Sequence, residues 1–123
     1  MKIAFLTLLL VALFTACSTT PKKYNEKHYQ TLFCDDLDGV MEYRLSDKTR
    51  VDCLTDEYAI EVDFAKKWAE GIGQSLFYAE MTGREPAIAL IMNVNRDQRY
   101  LKRLNTVAKK YEIRVFIIEK GSR

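Results

Sequence analysis

Between Glu42 and Tyr78 the chain alternates apolar and polar positions in a way that is broken repeatedly by acids. In the run Tyr58 to Phe64, Tyr58, Ile60, Val62 and Phe64 fall on one side of an extended chain and Ala59, Glu61 and Asp63 on the other, because successive strand side chains point to opposite faces. A shorter run, Arg50 to Leu54, carries Asp52 at its middle. The turn-like Thr55, Asp56 and Glu57 between them predicts a hairpin with Asp52 and Glu61 on neighbouring strands. After Phe64 the period becomes helical. Lys67, Gly71, Gln74 and Tyr78 recur on one face, and Trp68, Ile72, Leu76 and Ala79 supply an apolar stripe for the core.

Upstream, Asn25 to about Leu37 reads as a helix with Tyr29, Leu32, Phe33 and Leu37 facing inward, ended by Gly39. Val40 to Leu45 and Lys48 to Leu54 read as a hairpin across Ser46 and Asp47. Downstream, Gly83 and Pro86 punctuate a loop, and Ala87 to Met92 is a continuous apolar run typical of a strand covered on both faces. Tyr100, Leu101, Leu104, Val107, Ala108 and Tyr111 keep helical spacing before a last strand, Ile113 to Ile118. Strand, helix and strand in succession predict a crossover and a parallel pair. The order αβββαβαβ predicts an α/β three-layer sandwich around a central mixed sheet.

The first residues belong to a different regime. Met1 and Lys2, the apolar run Ile3 to Phe14, and then Thr15, Ala16 and Cys17 read as a signal peptide over residues 1–16, too short for a comfortable membrane-spanning helix. Small residues before Cys17 and a polar tail after it resemble a bacterial lipobox, although Phe14 departs from the usual Leu, Val or Ile. That resemblance implies that Cys17 is acylated, as by palmitate, and becomes the first mature residue. Ser18, rather than Asp, resembles the outer-membrane sorting pattern, which implies a lipid-anchored protein of the outer membrane facing the periplasm. An ordinary signal peptide with a chance cysteine is the alternative. Residues 17–23, with Pro21, form a short polar tether, and residues 24–123 form one domain; the roughly 107 residues after the signal suffice for a single core. Cys34 and Cys53 then remain, to pair in an oxidising compartment or to lie apart as thiols. Cys53, next to Asp52, faces the opposite side of its strand, toward the N-terminal helix.

A total charge of +2 conceals an uneven spread. Cys34 to Asp63 holds ten acidic and three basic residues, whereas Arg96 to Arg123 holds nine basic and three acidic. Arg96, Arg99, Arg103 and Lys110 share an approximate helical stripe suited to tracking phosphates of a nucleic acid, the alternative being the wet side of an amphipathic helix. In the acidic centre, carboxylates held together in a partly buried site repel one another and call for a cation. A hard divalent ion with oxygen ligands, Mg²⁺ or Mn²⁺, fits that need. The alternative is the solvated outer face of a hairpin. On the helical stripe, Lys67 is placed to neutralise developing charge and Gln74 to orient a ligand; taken singly, Lys67 also reads as surface and Tyr78 as core.

The order Glu42, RVD ending at Asp52, EVD from Glu61 to Asp63, and Gln74 with Tyr78 four residues later resembles the PD-(D/E)XK nuclease superfamily. The Gln-to-Tyr element is similar to that of its RecB-like exonuclease branch. The resemblance covers roughly Tyr24 to Ile118 and implies a restriction-endonuclease-like fold that hydrolyses phosphodiester bonds of nucleic acid. It implies Asp52, Glu61 and Glu42 as ligands of Mg²⁺ or Mn²⁺, with Lys67, Gln74 and Tyr78 completing the catalytic set. Where the family places its lysine two residues after the acid, this chain has Asp63. Lys67, then Lys66, is the substitute from the following helix, expected within a water-mediated contact of Asp52 and Glu61. If neither reaches the site, the chain is a relative that only binds. The family's first acid usually lies on the N-terminal helix, so Glu26 competes with Glu42, which is nearer in sequence to the other carboxylates. His28 reads as a surface residue and carries no metal argument alone.

Overall fold

The computed structural model describes residues 22–121; Cys17 and the signal peptide lie outside them. Helix α1 (Glu26–Asp36) starts where the Asn25 side chain accepts a hydrogen bond from the His28 amide at 3.0 Å, satisfying one of the donors a helix start leaves free. The hairpin follows as β1 (Val40–Arg44) and β2 (Arg50–Leu54), and then β3 (Tyr58–Phe64). The turn between β2 and β3 closes with the Thr55 amide donating to the Tyr58 carbonyl at 2.9 Å. A short 3₁₀ turn, Ala65–Lys67, leads into α2 (Trp68–Thr82), which ends at Gly83 in the left-handed region (φ 69°), where a side chain would be strained. Strand β4 (Glu85–Met92), α3 (Gln98–Ala108) and β5 (Arg114–Glu119) complete the chain.

Among the described residues these elements form an α/β structure with three α-helices and one mixed sheet of five strands in the order β1-β2-β3-β4-β5. The first two pairings are antiparallel, and the next two, bridged by α2 and α3, are parallel. Helix α1 packs on one face against Cys53, Ile60, Val62, Ala87, Ala89 and Ile91. On the other face α2 and α3 bury Ile88, Leu90 and Met92 with Leu104 and Ala108. Helices on both faces of the sheet are compatible with a three-layer sandwich. The unbroken apolar run of β4 is explained by this arrangement, since odd and even positions feed different cores. Among the described residues no helix is long and apolar enough to cross a membrane.

Helix α1 differs from its expected inward face. Leu32 and Leu37 are 41% and 37% exposed, while Tyr29, Gln30 and Cys34 are buried. The seam is set by a disulfide between Cys34 and Cys53 rather than by leucines. Gly39 leaves the space for it: a Cβ there would lie 2.5 Å from the Cys53 Sγ and 2.7 Å from the Cys34 Sγ. His28 is not a free surface residue either, since its ring stacks on Tyr24 with centroids 3.9 Å apart.

A candidate carboxylate site at the centre of the sheet

Strand β3 puts Glu61 and Asp63 on the α2 face, and both are buried, at 5% and 3% exposure. Asp52 reaches the same region from β2 because its residue has left the ladder. Regular β2–β3 pairing stops at Cys53 and Ile60, and the Asp52 Oδ2 instead accepts a hydrogen bond from the Val62 amide at 2.8 Å. On the other side its carbonyl accepts from the Gln30 Nε2 at 2.8 Å, a bond from α1 in place of one from a strand. Glu42, between the paired residues Met41 and Tyr43, sits at φ 54°, a left-handed conformation that costs a non-glycine residue roughly 1–2 kcal/mol.

The electrostatics follow from burial without enough compensating charge. Burial, with the Glu42 and Glu26 charges, raises the Asp52 carboxyl to about 6 against the Val62 hydrogen bond that favours its ionised form. Burial and the adjacent Asp52 and Asp63 carboxylates raise Glu61 to about 9. Asp63 rises to about 7 by burial and the Glu26 charge, opposed by Lys67. No donor reaches the buried Glu61 Oε2 or Asp63 Oδ2. Buried acceptors are normally satisfied, so two bare carboxylate oxygens on one strand mark a place suited to a ligand that supplies positive charge.

The helical stripe meets this cluster as its spacing requires. Gly71 lies over Asp63, where a Cβ would sit 3.6 Å from the Oδ2, so the glycine keeps the space beside that oxygen open. Tyr78 is buried against Leu45, Val51 and Ala59, and its phenol is raised chiefly by burial and further by the Glu61 and Asp52 charges. The Gln74 Nε2 lies 3.5 Å from the Tyr78 Oη, at the long end of a hydrogen bond.

Lys67 meets the cluster at its Asp63 end. Its ammonium lies 3.5 Å from the Asp63 Oδ1 and 3.8 Å from the Glu26 Oε2, and the ion pairs of the described residues do not join it to Asp52 or Glu61. The cause is local: Lys67 closes the 3₁₀ turn as the N-cap of α2, only four residues after Asp63. Glu26 and Asp63 in turn raise the Lys67 pKa. Glu42 is engaged elsewhere, with the Lys27 Nζ at 2.8 Å, the Gln30 Nε2 at 2.9 Å and the Arg50 Nε at 3.5 Å. The Lys27 and Gln30 hydrogen bonds hold its carboxyl below the usual range. Glu26 is therefore the acid linked to Lys67 and Asp63, and Glu42 the acid linked to α1.

The four cations expected to line one helix do not all belong to it. Arg96 precedes α3 and Lys110 follows it, leaving Arg99 and Arg103 within its span; all four are exposed. Arg99 folds over the Tyr100 ring at 4.7 Å and donates to its Oη at 2.9 Å. An open cleft of about 720 Å³ lies where β3, β4 and β5 begin and is lined by Leu37, Val40, Tyr58, Arg84, Arg114 and Phe116 among others, with none of the clustered acids. The cluster is thus a polar interior under α2 rather than the floor of that cleft.

Comparison with known proteins finds no matching family model, no matching curated protein and no matching solved structure. Two buried polar residues escape the reading of the sequence. Gln30, 4% exposed, ties Glu42 to Asp52, and Ser75, fully buried on α2, bonds back to the Ile72 carbonyl at 2.9 Å. A polar residue on the buried face of α1 was the available signal for Gln30; Ser75 carries none, since it satisfies itself within its own helix.

Proposed function

We propose that this chain is a lipid-anchored, metal-dependent phosphodiesterase acting on nucleic acid, with a restriction-endonuclease-like fold of the PD-(D/E)XK type. The observation that carries the reading is the convergence of Asp52 and Glu61 from adjacent strands, with the Glu61 Oε2 buried and without a donor. The element order αβββαβαβ, and a Tyr78 phenol that feels the charges of both acids and meets Gln74, support it.

Carboxylate oxygens are the donors a hard divalent cation takes. Asp52 and Glu61 would hold Mg²⁺ or Mn²⁺, and Glu42, itself bonded to Lys27, Gln30 and Arg50, would support them from β1 without entering the first set of ligands. When bound, such an ion supplies Lewis-acid stabilisation of phosphate charge and a more acidic water. The chain's own residues do the rest. The Val62 amide fixes the Asp52 carboxylate. Tyr78 and Gln74 present a phenol and an amide that orient a polar ligand, Lys67 offers positive charge at the Asp63 end, and Arg96, Arg99, Arg103 and Lys110 offer exposed cations to a polyanion.

A second reading is favoured by one observation. The Lys67 ammonium is held between Glu26 and Asp63, which suits a protein that keeps the fold and binds a nucleic acid or an envelope partner without cleaving it. Incubation with single- and double-stranded DNA and RNA in Mg²⁺ or Mn²⁺ separates the two. Cleavage that Asp52→Ala abolishes supports the enzyme; metal-independent binding without cleavage supports the binder. Anchoring is tested apart, by fatty-acid labelling of the wild type and of Cys17→Ser: label in the first alone supports the anchor, whereas label in both or in neither contradicts it.

A further inference from the structure

We propose that Gln30 is a positioning residue for the carboxylate site, setting Asp52 and Glu42 through its side-chain amide. The inference rests on the reading of Asp52 and Glu61 as cation ligands, and deepens it. Gln30 is 4% exposed and lies on the buried side of α1. A primary amide nitrogen carries two donors, and here it bonds the Glu42 Oε1 at 2.9 Å and the Asp52 carbonyl at 2.8 Å. It therefore grips two adjacent strands at the one place where both backbones depart from the ladder, at Glu42 with φ 54° and at Asp52 beyond the last β2–β3 pair.

The grip is rigid because α1 cannot slide. Cys34, one turn after Gln30, is joined by a disulfide to Cys53, the neighbour of Asp52. Helix and strand are thus tied at two consecutive residues of β2. With its backbone held from α1, Asp52 has only its side chain left to turn, and the Val62 amide fixes that side chain toward β3. A neutral donor suits this task. It satisfies the Asp52 carbonyl without setting a charge beside the Asp52 carboxylate, while the Glu42 Oε1 that it also reaches is neutralised separately by Lys27.

The test uses the full chain and two readouts: Mn²⁺ affinity, from the electron paramagnetic resonance of free Mn²⁺, and the hydrogen exchange of the Val62 amide, measured without metal. Gln30→Leu is expected to weaken Mn²⁺ binding about tenfold and to speed Val62 exchange about tenfold, with far-ultraviolet circular dichroism unchanged. Tyr29→Phe is the control on the same helix. It removes the hydroxyl that accepts from the Gly121 amide at 3.1 Å and is expected to change neither readout. Unchanged Val62 exchange in Gln30→Leu overturns the proposal whether or not the wild type binds Mn²⁺. Faster exchange in Gln30→Leu with undiminished Mn²⁺ affinity also overturns it. A wild type that binds no Mn²⁺, but whose Val62 exchange accelerates in Gln30→Leu, supports the hold on Asp52 and overturns only the cation reading. Should Gln30→Leu fail to fold, Gln30→Glu, which keeps the shape but sets a second carboxylate against Glu42, is read in the same two ways.

Discussion

The two faces of β3 are built from alternate residues of one strand and behave in opposite ways. Toward α1, Ile60 and Val62 are fully buried among apolar neighbours and the Cys34–Cys53 disulfide staples the layer. Toward α2, Glu61 and Asp63 are nearly as buried but end in oxygens that no donor reaches. Burial stabilises through the first face and costs stability through the second, because removing a carboxylate from water is unfavourable unless it is paired. A strand at the centre of a sheet tolerates the second face only because the first, and β4 beside it, hold it in place.

That contrast is broken most severely on the apolar side. Ile60→Ala is expected to lower unfolding stability by about 4 kcal/mol, read from urea denaturation, since it leaves a cavity in a close-packed layer. Removing the staple with Cys34→Ala and Cys53→Ala together is expected to cost about 3 kcal/mol by the same measurement. On the acidic side the sign reverses. Asp52, Glu61 and Asp63 have folded pKa values of about 6, 9 and 7, above the value of about 4 for a carboxyl in an unfolded chain. The folded state then holds protons that the unfolded chain releases, so this stability is present in full at low pH and is lost as pH rises through those values. Without metal, the chain is expected to lose at least ~2 kcal/mol between pH 5 and pH 9, followed by denaturation at each pH. Smallest of the four, Glu61→Gln is expected to raise stability at pH 9 by about 1 kcal/mol and to flatten the alkaline part of that profile.

The sequence predicted the acidic face of β3 because a period of two needs only the strand itself, and Glu61 and Asp63 interrupt it visibly. The helical stripe from Lys67 to Tyr78 was legible for the same reason, with a period set by one element. The order of elements along the chain, the parallel β4–β5 pair and the side of the strand on which Cys53 lies follow from the same local rules. What stayed hidden depends on partners far along the chain. Gln30 meets Asp52 across 22 residues, and nothing periodic records that bond. Leu32 and Leu37 read as core, but the disulfide fixes the rotation of α1 and turns them outward. The 3₁₀ turn that carries Lys67 into α2 is three residues long, shorter than any window of periodicity. Glu26 and Glu42 could not be ranked by distance along the chain, since α1 folds back across the sheet.

If Asp52 and Glu61 are the ligands of a divalent cation, as proposed, binding that cation stabilises the fold through these two carboxylates. Thermal unfolding at pH 8, with and without Mn²⁺, measures this directly in the wild type and in Asp52→Asn, whose side-chain oxygen can still accept from the Val62 amide. At Mn²⁺ about one hundred times its dissociation constant, the wild type is expected to gain about 2.7 kcal/mol, and Asp52→Asn much less. Equal gains in the two chains, or none in the wild type, would contradict the claim.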